Sequence, residues 1–237
     1  MTTPFRGYSK KTVQFLDDLA ANNSRPWFEQ NRSIYQESVL KELSDFVVAM
    51  GDRLSAIAPE VVAVPKVDKS IFRIHRDTRF SPNKKPYKTH IGAFFWEGTK
   101  KKMENSGFYF HLEPERLFLG VGLYKFPRDF LPVYRSAVTH PELGPALEAA
   151  VAQVQTHPEY SLGWKGYKRV PRGHDPEHPR SHFLLHAGLG FQYEERLNDR
   201  VFSPELIDDV FERFRHMSPV HHWLLDVAQR AEQDQSE

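Results

Sequence analysis

Residues 106–123 read SGFYFHLEPERLFLGVGL, and apolar side chains recur at every second position in both halves of this stretch. In the first half Phe108, Phe110 and Leu112 alternate with more polar residues, which is the period of a strand that buries one face. The second half, 116–123, has aliphatic residues on one side and two glycines on the other. The short Glu-Pro-Glu connection favours antiparallel pairing of the two strands.

The same alternation predicts further strands within a strand-rich region, 61–123, at 61–67, 70–76 and 90–96. We therefore expect a mainly antiparallel sheet of about five strands in the middle of the chain. Apolar residues at three- and four-residue spacing predict helices over 9–57 and, apart from a basic loop, over 127–230. The prediction is an α+β fold in which N-terminal and C-terminal helices pack on the sheet. No linker or repeat divides the chain, so we expect a single domain, 1–237.

Local signals mark where the helices begin, bend and end. Ser9 is placed to cap the first helix, and Asn23 or Ser24 to cap the second. The second helix is long enough to predict a bend before Gly51. Ser218-Pro219 predicts a break between the last two helices, because proline lacks the N–H that continues a helix.

The composition is that of an ordinary folded protein, with 237 residues, 40% hydrophobic and 27% charged side chains. No apolar run approaches the roughly 18 residues of a membrane span, and no basic-then-apolar N-terminus suggests a secretory signal. We expect a cytoplasmic protein without a membrane partner. The chain has no cysteine, which excludes disulfides, thiolate nucleophiles and iron–sulfur clusters. It also lacks the glycine-rich phosphate loop, the dinucleotide fingerprint and the nucleophile elbow.

Charge is distributed unevenly along the chain although the net charge is only +1. Residues 66–90 contain eight Lys and Arg against Asp68 and Asp77. Residues 192–237 contain eleven Asp and Glu against five Arg. A second basic segment, 165–182, adds five Lys and Arg against two acids. Concentrated cations repel one another, so we expect an anionic counterpart for the basic segments.

The first basic segment predicts an anion-binding site. Arg73, Arg76 and Arg79 are spaced by three, and Lys84, Lys85 and Lys88 follow in a proline-stiffened loop. Guanidinium groups match phosphate or carboxylate oxygens with a planar fork, and lysine adds a point charge. The favoured ligand is a phosphorylated small molecule or another anion.

Two simpler interpretations stay open for the basic segments. Arg76 or Arg79 pairs with Asp77, or with an acid of the N-terminal helix, and merely pins the loop. The second segment contributes the cations Lys168, Arg169 and Arg172. They either close over the same site or form a separate surface patch. We expect the aromatic residues Phe72, Phe80 and Tyr87 to pack the loop down rather than to stack on bases.

Candidate catalytic residues near the loop are His75, Asp77, Tyr87 and His111, with His90 and Tyr109 beside them. A phosphoester-directed enzyme would use His75 or His111 as proton carrier and arginines to stabilise developing charge. His111 is expected opposite Gly120 or Gly122, where the backbone can approach a ligand.

Four histidines recur every four residues, His174, His178, His182 and His186. Metal ligands align in this way on a helix, but Pro176 and Pro179 interrupt any continuous helix here. We therefore predict no metal and no cofactor.

Several segments together resemble the family catalogued as domain of unknown function 2461. They are LAANNSRPWFEQNRSIY at 19–35, FRIHRDTRFS at 72–81, KKPYKTH at 84–90, GFYFHL at 107–112, GVGL at 120–123, KRVPRG at 168–173 and His178-Pro179. The resemblance implies a single intracellular α+β domain and no established reaction. Two departures matter: Asn83 replaces an acid of the family loop, and Leu185-His186-Ala187-Gly188 replaces a more basic run.

Anion binding is the favoured function, and whether the protein is an enzyme stays open. One alternative is binding of nucleic-acid backbone by the same basic surface, which the pI of about 8.0 disfavours. Another is a scaffold whose basic loop docks on an acidic partner, including the acidic C-terminal helices of a second copy. The oligomeric state is open.

Overall fold

The structure, a computed structural model, describes residues 4–234. Helix α1 (Lys10–Ala21) begins after Ser9, whose hydroxyl accepts the N–H of Thr12 at 3.2 Å. The predicted cap is confirmed. The apolar residues Phe15, Leu16 and Leu19 of α1 are buried, as their spacing indicates.

The predicted long second helix is interrupted rather than smoothly bent. It consists of α2 (Arg25–Gln30), α3 (Arg32–Ile34), a π-helical segment (Tyr35–Leu40) and α4 (Lys41–Leu54). A π-helical turn changes which residues share a face, so it reorients the apolar stripe before α4. Ser24 precedes α2, and its side chain makes no capping hydrogen bond.

The sheet has five strands, β1 (Ile91–Trp96), β2 (Gly107–Leu112), β3 (Arg116–Leu123), β4 (Ser161–Leu162) and β5 (Leu189–Arg196). Their order is β1-β2-β3-β5-β4, and the sheet is antiparallel. In the β4–β5 pair Ser161 lies opposite Gln192. The α+β class and the predicted strands near 90–96, 106–112 and 116–123 are confirmed.

Two predicted strands, 61–67 and 70–76, are wrong. This region forms only isolated bridges, such as Ile71 with Ala93. Pro65 and the left-handed Asp68 (φ 64°) interrupt the alternating run. The remaining strands, β4 and β5, come from a region predicted as helical and loop.

The other elements are α5 (Phe130–Thr139), α6 (Leu143–Gln155), α7 (Leu206–Asp234) and 3₁₀ turns at Lys102–Glu104, Ser181–Leu185 and Asp199–Phe202. The break predicted at Ser218-Pro219 is wrong, because α7 continues through Pro219. Pro219 cannot donate to the carbonyl of Arg215 four residues earlier. The Ser218 hydroxyl donates to that carbonyl instead, at 2.9 Å.

The described residues group into two compact units. Unit 1 comprises 4–95, 109–119 and 194–212, and unit 2 comprises 96–108, 120–193 and 213–234. The single domain stays a prediction. In the core of unit 1 the rings of Phe46 and Phe110 are 4.2 Å apart.

Unit 2 has its own core, in which the ring of Tyr134 packs edge-on against Trp223. The Tyr134 hydroxyl donates to the carbonyl of Phe183, and the Trp223 indole donates to that of Leu143, both at 2.9 Å. These hydrogen bonds satisfy the polar atoms of two large aromatic side chains. Within residues 4–234 no helix is both long and apolar enough to cross a membrane.

Candidate anion-binding site

The first basic segment folds as a hairpin in unit 1. His75 pairs with Tyr87 in an antiparallel bridge, and the N–H of Arg76 donates to the carbonyl of Pro86 at 2.8 Å. The N–H of Lys88 donates to the carbonyl of Ile74, also at 2.8 Å. These bonds hold Arg76 and Lys88 on paired arms, and residues 77–85 form the loop between them.

Aromatic packing and one asparagine anchor the hairpin. The Tyr87 ring is 3% exposed and stacks on Phe28 with centroids 4.2 Å apart. The side-chain amide of Asn23 donates to the Tyr87 carbonyl and accepts the Tyr87 N–H, each at 3.0 Å. Phe72 packs edge-on against Tyr109. The expectation for Phe80 is wrong: its side chain is 93% exposed at the loop, beside Arg79.

A cavity of about 560 Å³ opens beside this hairpin. Its lining includes polar and charged side chains from the turn after α1, from both arms of the hairpin and from its loop, namely Asn23, Arg76, Asp77, Lys85, Lys88 and His90. The sequence-predicted cations Arg76 and Lys88 therefore meet at one cavity. Lys85 of the same basic segment joins them.

The cations of the cavity lack an internal counterion. Among residues 4–234, Arg76, Lys85 and Lys88 have no carboxylate within ion-pair distance. The Lys85 ammonium lies 3.4 Å from the carbonyl of Ala20, and that of Lys88 lies over the Phe72 ring. Burial, and then the nearby Arg73, lower the pKa of Lys88 against an opposing attraction to the Asp68 carboxylate. An anion in the cavity would offset this repulsion.

Two predicted anion ligands are instead used within the loop. Arg79 donates to both carboxylate oxygens of Asp77, at 2.7 and 3.0 Å. These hydrogen bonds lower the pKa of Asp77 to about 2, so the carboxyl group stays ionised near neutral pH. Lys84 donates to the carbonyl of Thr78 at 2.9 Å. The simpler interpretation therefore holds for Arg79, and Arg73 is exposed outside the cavity lining.

The candidate catalytic residues are divided between the cavity and its surroundings. Asp77 and Tyr87 line the cavity. His75 is exposed on the hairpin, where its ring contacts those of Phe28 and Tyr87. His111 lies next to His90, which lines the cavity, and their rings stack with centroids 4.1 Å apart.

Hydrogen bonds fix the orientation of His111 from both sides. Its Nε2 is 2.7 Å from a carboxylate oxygen of Glu113, and its Nδ1 is 2.9 Å from the Tyr109 hydroxyl. Arg116 donates to both oxygens of Glu113, at 3.0 and 3.1 Å. Glu113 and Arg116 were not singled out by the sequence analysis. The available signal was the period of two, which places residues 109, 111 and 113 on one face.

Burial governs the protonation of this cluster. It lowers the pKa of His90 to about 3, with help from His111 and Lys88. Burial also lowers the pKa of His111, against the opposing hydrogen bond to Glu113. Burial disfavours ionisation of Glu113, but the hydrogen bonds from Arg116 and His111 outweigh it and lower that pKa. The cluster therefore contains two neutral imidazoles and one carboxylate near neutral pH.

The space beside Gly122 is not a ligand site. A Cβ at this position would lie 2.3 Å from the carbonyl oxygen of Leu189 and 2.6 Å from Gly190, both in β5. Gly122 also has a φ of 133°. The glycine therefore admits a neighbouring strand, which leaves no room for a ligand on this side of Gly122, and the alternative approach at Gly120 stays a prediction.

The second basic segment belongs to unit 2. Lys168, Arg169 and Arg172 are exposed there. Arg180 is instead used internally, donating to the carbonyl of Val138 at 2.8 Å and pairing with Glu148. A site shared by both basic segments stays a prediction.

Unit 2 also contains a buried Ser–His–Glu arrangement. His221 Nδ1 is 2.9 Å from the Ser106 hydroxyl, and its Nε2 is 2.9 Å from Glu97. This order of contacts resembles a hydrolase triad. However, His221 is fully buried and Ser106 is 4% exposed. A substrate cannot reach them in this conformation, so the arrangement serves as a buried polar network.

Comparison with known proteins supports the resemblance noted in the sequence. A family model described as Conserved hypothetical protein (DUF2461) matches residues 11–223. No curated protein and no solved structure shows a significant match. Because the family model covers nearly the whole chain, this protein belongs to the DUF2461 family.

Proposed function

We propose that the protein binds a small phosphorylated molecule in the cavity beside the hairpin. The observation that carries this proposal is the set of cations at one cavity, Arg76, Lys85 and Lys88, without carboxylate partners among residues 4–234. Other arginines of unit 1, such as Arg53 and Arg116, are paired with acids. The one carboxylate in the described lining, that of Asp77, is paired with Arg79, so the cavity keeps a net positive charge that favours an anionic ligand.

Phosphate fits the chemistry of these side chains. A guanidinium can donate two parallel hydrogen bonds to phosphate oxygens, and lysine ammonium groups neutralise the remaining charge. The cavity volume of about 560 Å³ lies in the range of small-molecule sites, roughly 300–1,000 Å³. This volume exceeds what inorganic phosphate alone fills. The favoured ligand is therefore a phosphate group attached to a larger organic part.

A thermal-shift titration tests the proposal with inorganic phosphate as the probe. We expect phosphate to raise Tm relative to chloride at matched ionic strength, because a ligand that binds only the folded state stabilises it. Arg76→Gln and Lys88→Met should abolish this shift. Arg128→Gln and Lys125→Met, which remove exposed charges in unit 2, are the matched controls.

The controls decide the interpretation of this titration. Equal phosphate shifts in the cavity variants and in the controls would contradict a site at the cavity. A wild-type protein that phosphate does not stabilise over chloride would also contradict the proposal. A series of sugar phosphates and nucleotides then identifies the organic part by the largest shift.

Exposure of Phe80 supports a second candidate, binding of single-stranded nucleic acid. The ring is 93% exposed, and the guanidinium of Arg79 lies 5.8 Å from its centroid. Exposed aromatic rings beside cations stack on bases, at about 1–3 kcal/mol per base. Fluorescence anisotropy with a labelled oligonucleotide should give binding that weakens with salt and with Phe80→Ala. Absence of binding at low salt would exclude this candidate.

A phosphoester-directed activity would be a narrower form of the first proposal. His90 is the histidine that lines the cavity, although a pKa of about 3 makes its imidazole a weak base near neutral pH. Hydrolysis of a generic phosphoester, measured for wild type and His90→Gln, tests this activity. Equal rates in both proteins would exclude His90 from it.

A further inference from the structure

We infer that His90, His111 and Glu113 form a binding site for a divalent transition-metal ion. Each residue offers one ligand atom, and these atoms all lie within 4.8 Å of one another. Within residues 4–234 this is the one group of three histidines or acids with such spacing. The expectation of no metal rested on a different set, the four regularly spaced histidines between residues 174 and 186. The inference does not depend on the proposed anion binding.

The spacing suits a single ion. A tetrahedral ion with bonds of about 2.0–2.1 Å places its ligand atoms about 3.3 Å apart. The shortest distance in the cluster is 2.7 Å, between His111 Nε2 and Glu113, and all distances are within 4.8 Å. These distances are compatible with one ion. The His90 and His111 rings are stacked with centroids 4.1 Å apart, so they must rotate for their in-plane nitrogen lone pairs to converge on that ion.

Neighbouring residues support the ligands as they do in established metal sites. The Tyr109 hydroxyl is 2.9 Å from His111 Nδ1, so that nitrogen can donate its proton there while Nε2 binds the ion. Arg116 holds both oxygens of Glu113 and is itself paired with Glu194 at 3.0 Å. Ligands oriented in advance lose less conformational entropy on binding.

The His90 side chain is the most available ligand. Its ring nitrogens make no hydrogen bond within residues 4–234, and its ring is held by stacking on His111. His90 also lines the cavity. An ion bound there would lie beside the cavity and could contact a ligand within it.

The ligand set indicates the class of ion. Imidazole nitrogen suits Zn²⁺, Fe²⁺, Co²⁺ and Ni²⁺, whereas Mg²⁺ and Ca²⁺ prefer oxygen ligands. Two imidazoles and one carboxylate leave at least one coordination position open, as in catalytic rather than structural zinc sites. We therefore expect Zn²⁺ or Co²⁺ to bind, and Mg²⁺ to compete poorly.

Metal titration of tag-free, chelator-treated full-length protein tests the inference in phosphate-free buffer. We expect calorimetry to give one Zn²⁺ per chain, and Co²⁺ to produce a visible absorption band. His90→Gln, His111→Gln and Glu113→Gln should each weaken Zn²⁺ binding at least 10-fold and reduce the Co²⁺ band. Tyr109→Phe should weaken it less. His182→Gln, which removes an exposed histidine in unit 2, is the matched control.

The outcomes separate this inference from the proposed function. Unchanged Zn²⁺ affinity in the ligand variants, or no stoichiometric binding by wild type, would overturn the metal site. Neither result bears on the phosphate shift, which is measured without metal. His90→Gln removes no hydrogen bond in the described chain and is expected to fold. Its circular dichroism spectrum and Tm confirm that a loss of binding is not a loss of fold.

Discussion

The side-chain amide of Asn23 makes two hydrogen bonds, each of 3.0 Å, to the backbone of Tyr87, 64 residues later in the chain. It accepts the N–H and donates to the carbonyl, as a neighbouring strand would. The end of α1 is thereby joined to the second arm of the hairpin. Because Asn23 and Lys88 both line the cavity, this relationship positions the cations there.

Asn23→Ala should remove both hydrogen bonds and destabilise the protein by about 1–3 kcal/mol, because the partly buried backbone groups of Tyr87 lose their partner. The hairpin should loosen, and the phosphate shift in Tm should shrink. Denaturant unfolding and the thermal-shift titration measure the two effects. Asn22→Ala is the control, since Asn22 is exposed and bonds only within α1. Equal effects of both substitutions would contradict the role assigned to Asn23.

Asp77→Asn should strengthen phosphate binding severalfold. The substitution removes a negative charge from the cavity lining and releases Arg79 from its ion pair. Isothermal titration with phosphate measures the change. Asp129→Asn, which disrupts the exposed pair with Lys100 in unit 2, should leave the affinity unchanged. Weaker phosphate binding by Asp77→Asn would show that the Asp77–Arg79 pair is needed to shape the site.

Stability should fall as the pH falls below about 6.5, in part because of His221. Burial outweighs the hydrogen bond to Glu97 and lowers the pKa of His221 in the folded state. The unfolded chain therefore takes up a proton first, and each such proton costs up to about 1.4 kcal/mol per pH unit. Chemical denaturation between pH 8 and pH 5 measures the slope. His221→Asn should reduce that slope, and an unchanged slope would contradict the assignment.

His221→Leu should destabilise the protein at neutral pH by about 1–3 kcal/mol, because it removes the hydrogen bond that the His221 imidazole makes to the buried Glu97 carboxylate. The double variant with Glu97→Gln should recover part of this loss. Guanidinium denaturation of the four proteins in this cycle measures the coupling. Additive effects of the two substitutions would contradict a coupled pair.

Ser218→Ala should destabilise α7 by about 1 kcal/mol, because the Arg215 carbonyl then loses a hydroxyl donor that Pro219 cannot replace. In a Pro219→Ala background the same change should cost less, since the restored N–H can donate to that carbonyl. Thermal unfolding of all four proteins checks this difference. A cost independent of residue 219 would contradict compensation by Ser218.

Predictions from the sequence succeeded where one local signal dominates, and they failed where a second interaction competes with that signal or where the pattern is too short. Strands β2 and β3 and the Ser9 cap were predicted correctly, because alternation and capping involve residues within a few positions of one another. The break at Pro219 was predicted wrongly, because a neighbouring hydroxyl compensates for the missing N–H. Strand β5 was missed although Leu189 and Phe191 alternate with smaller or polar residues, since so short a pattern is ambiguous.

The amino-acid sequence by itself determined the α+β class, the family and the density of positive charge between residues 66 and 90. These properties follow from periodicity and composition, which neighbouring residues settle. Only the tertiary structure decided that Arg76 and Lys88 line a cavity while Arg79 pairs with Asp77. The folded chain also brought His90 beside His111, and Asn23 beside Tyr87. Contacts between residues far apart in sequence depend on the packing of whole elements, and no local pattern encodes that packing.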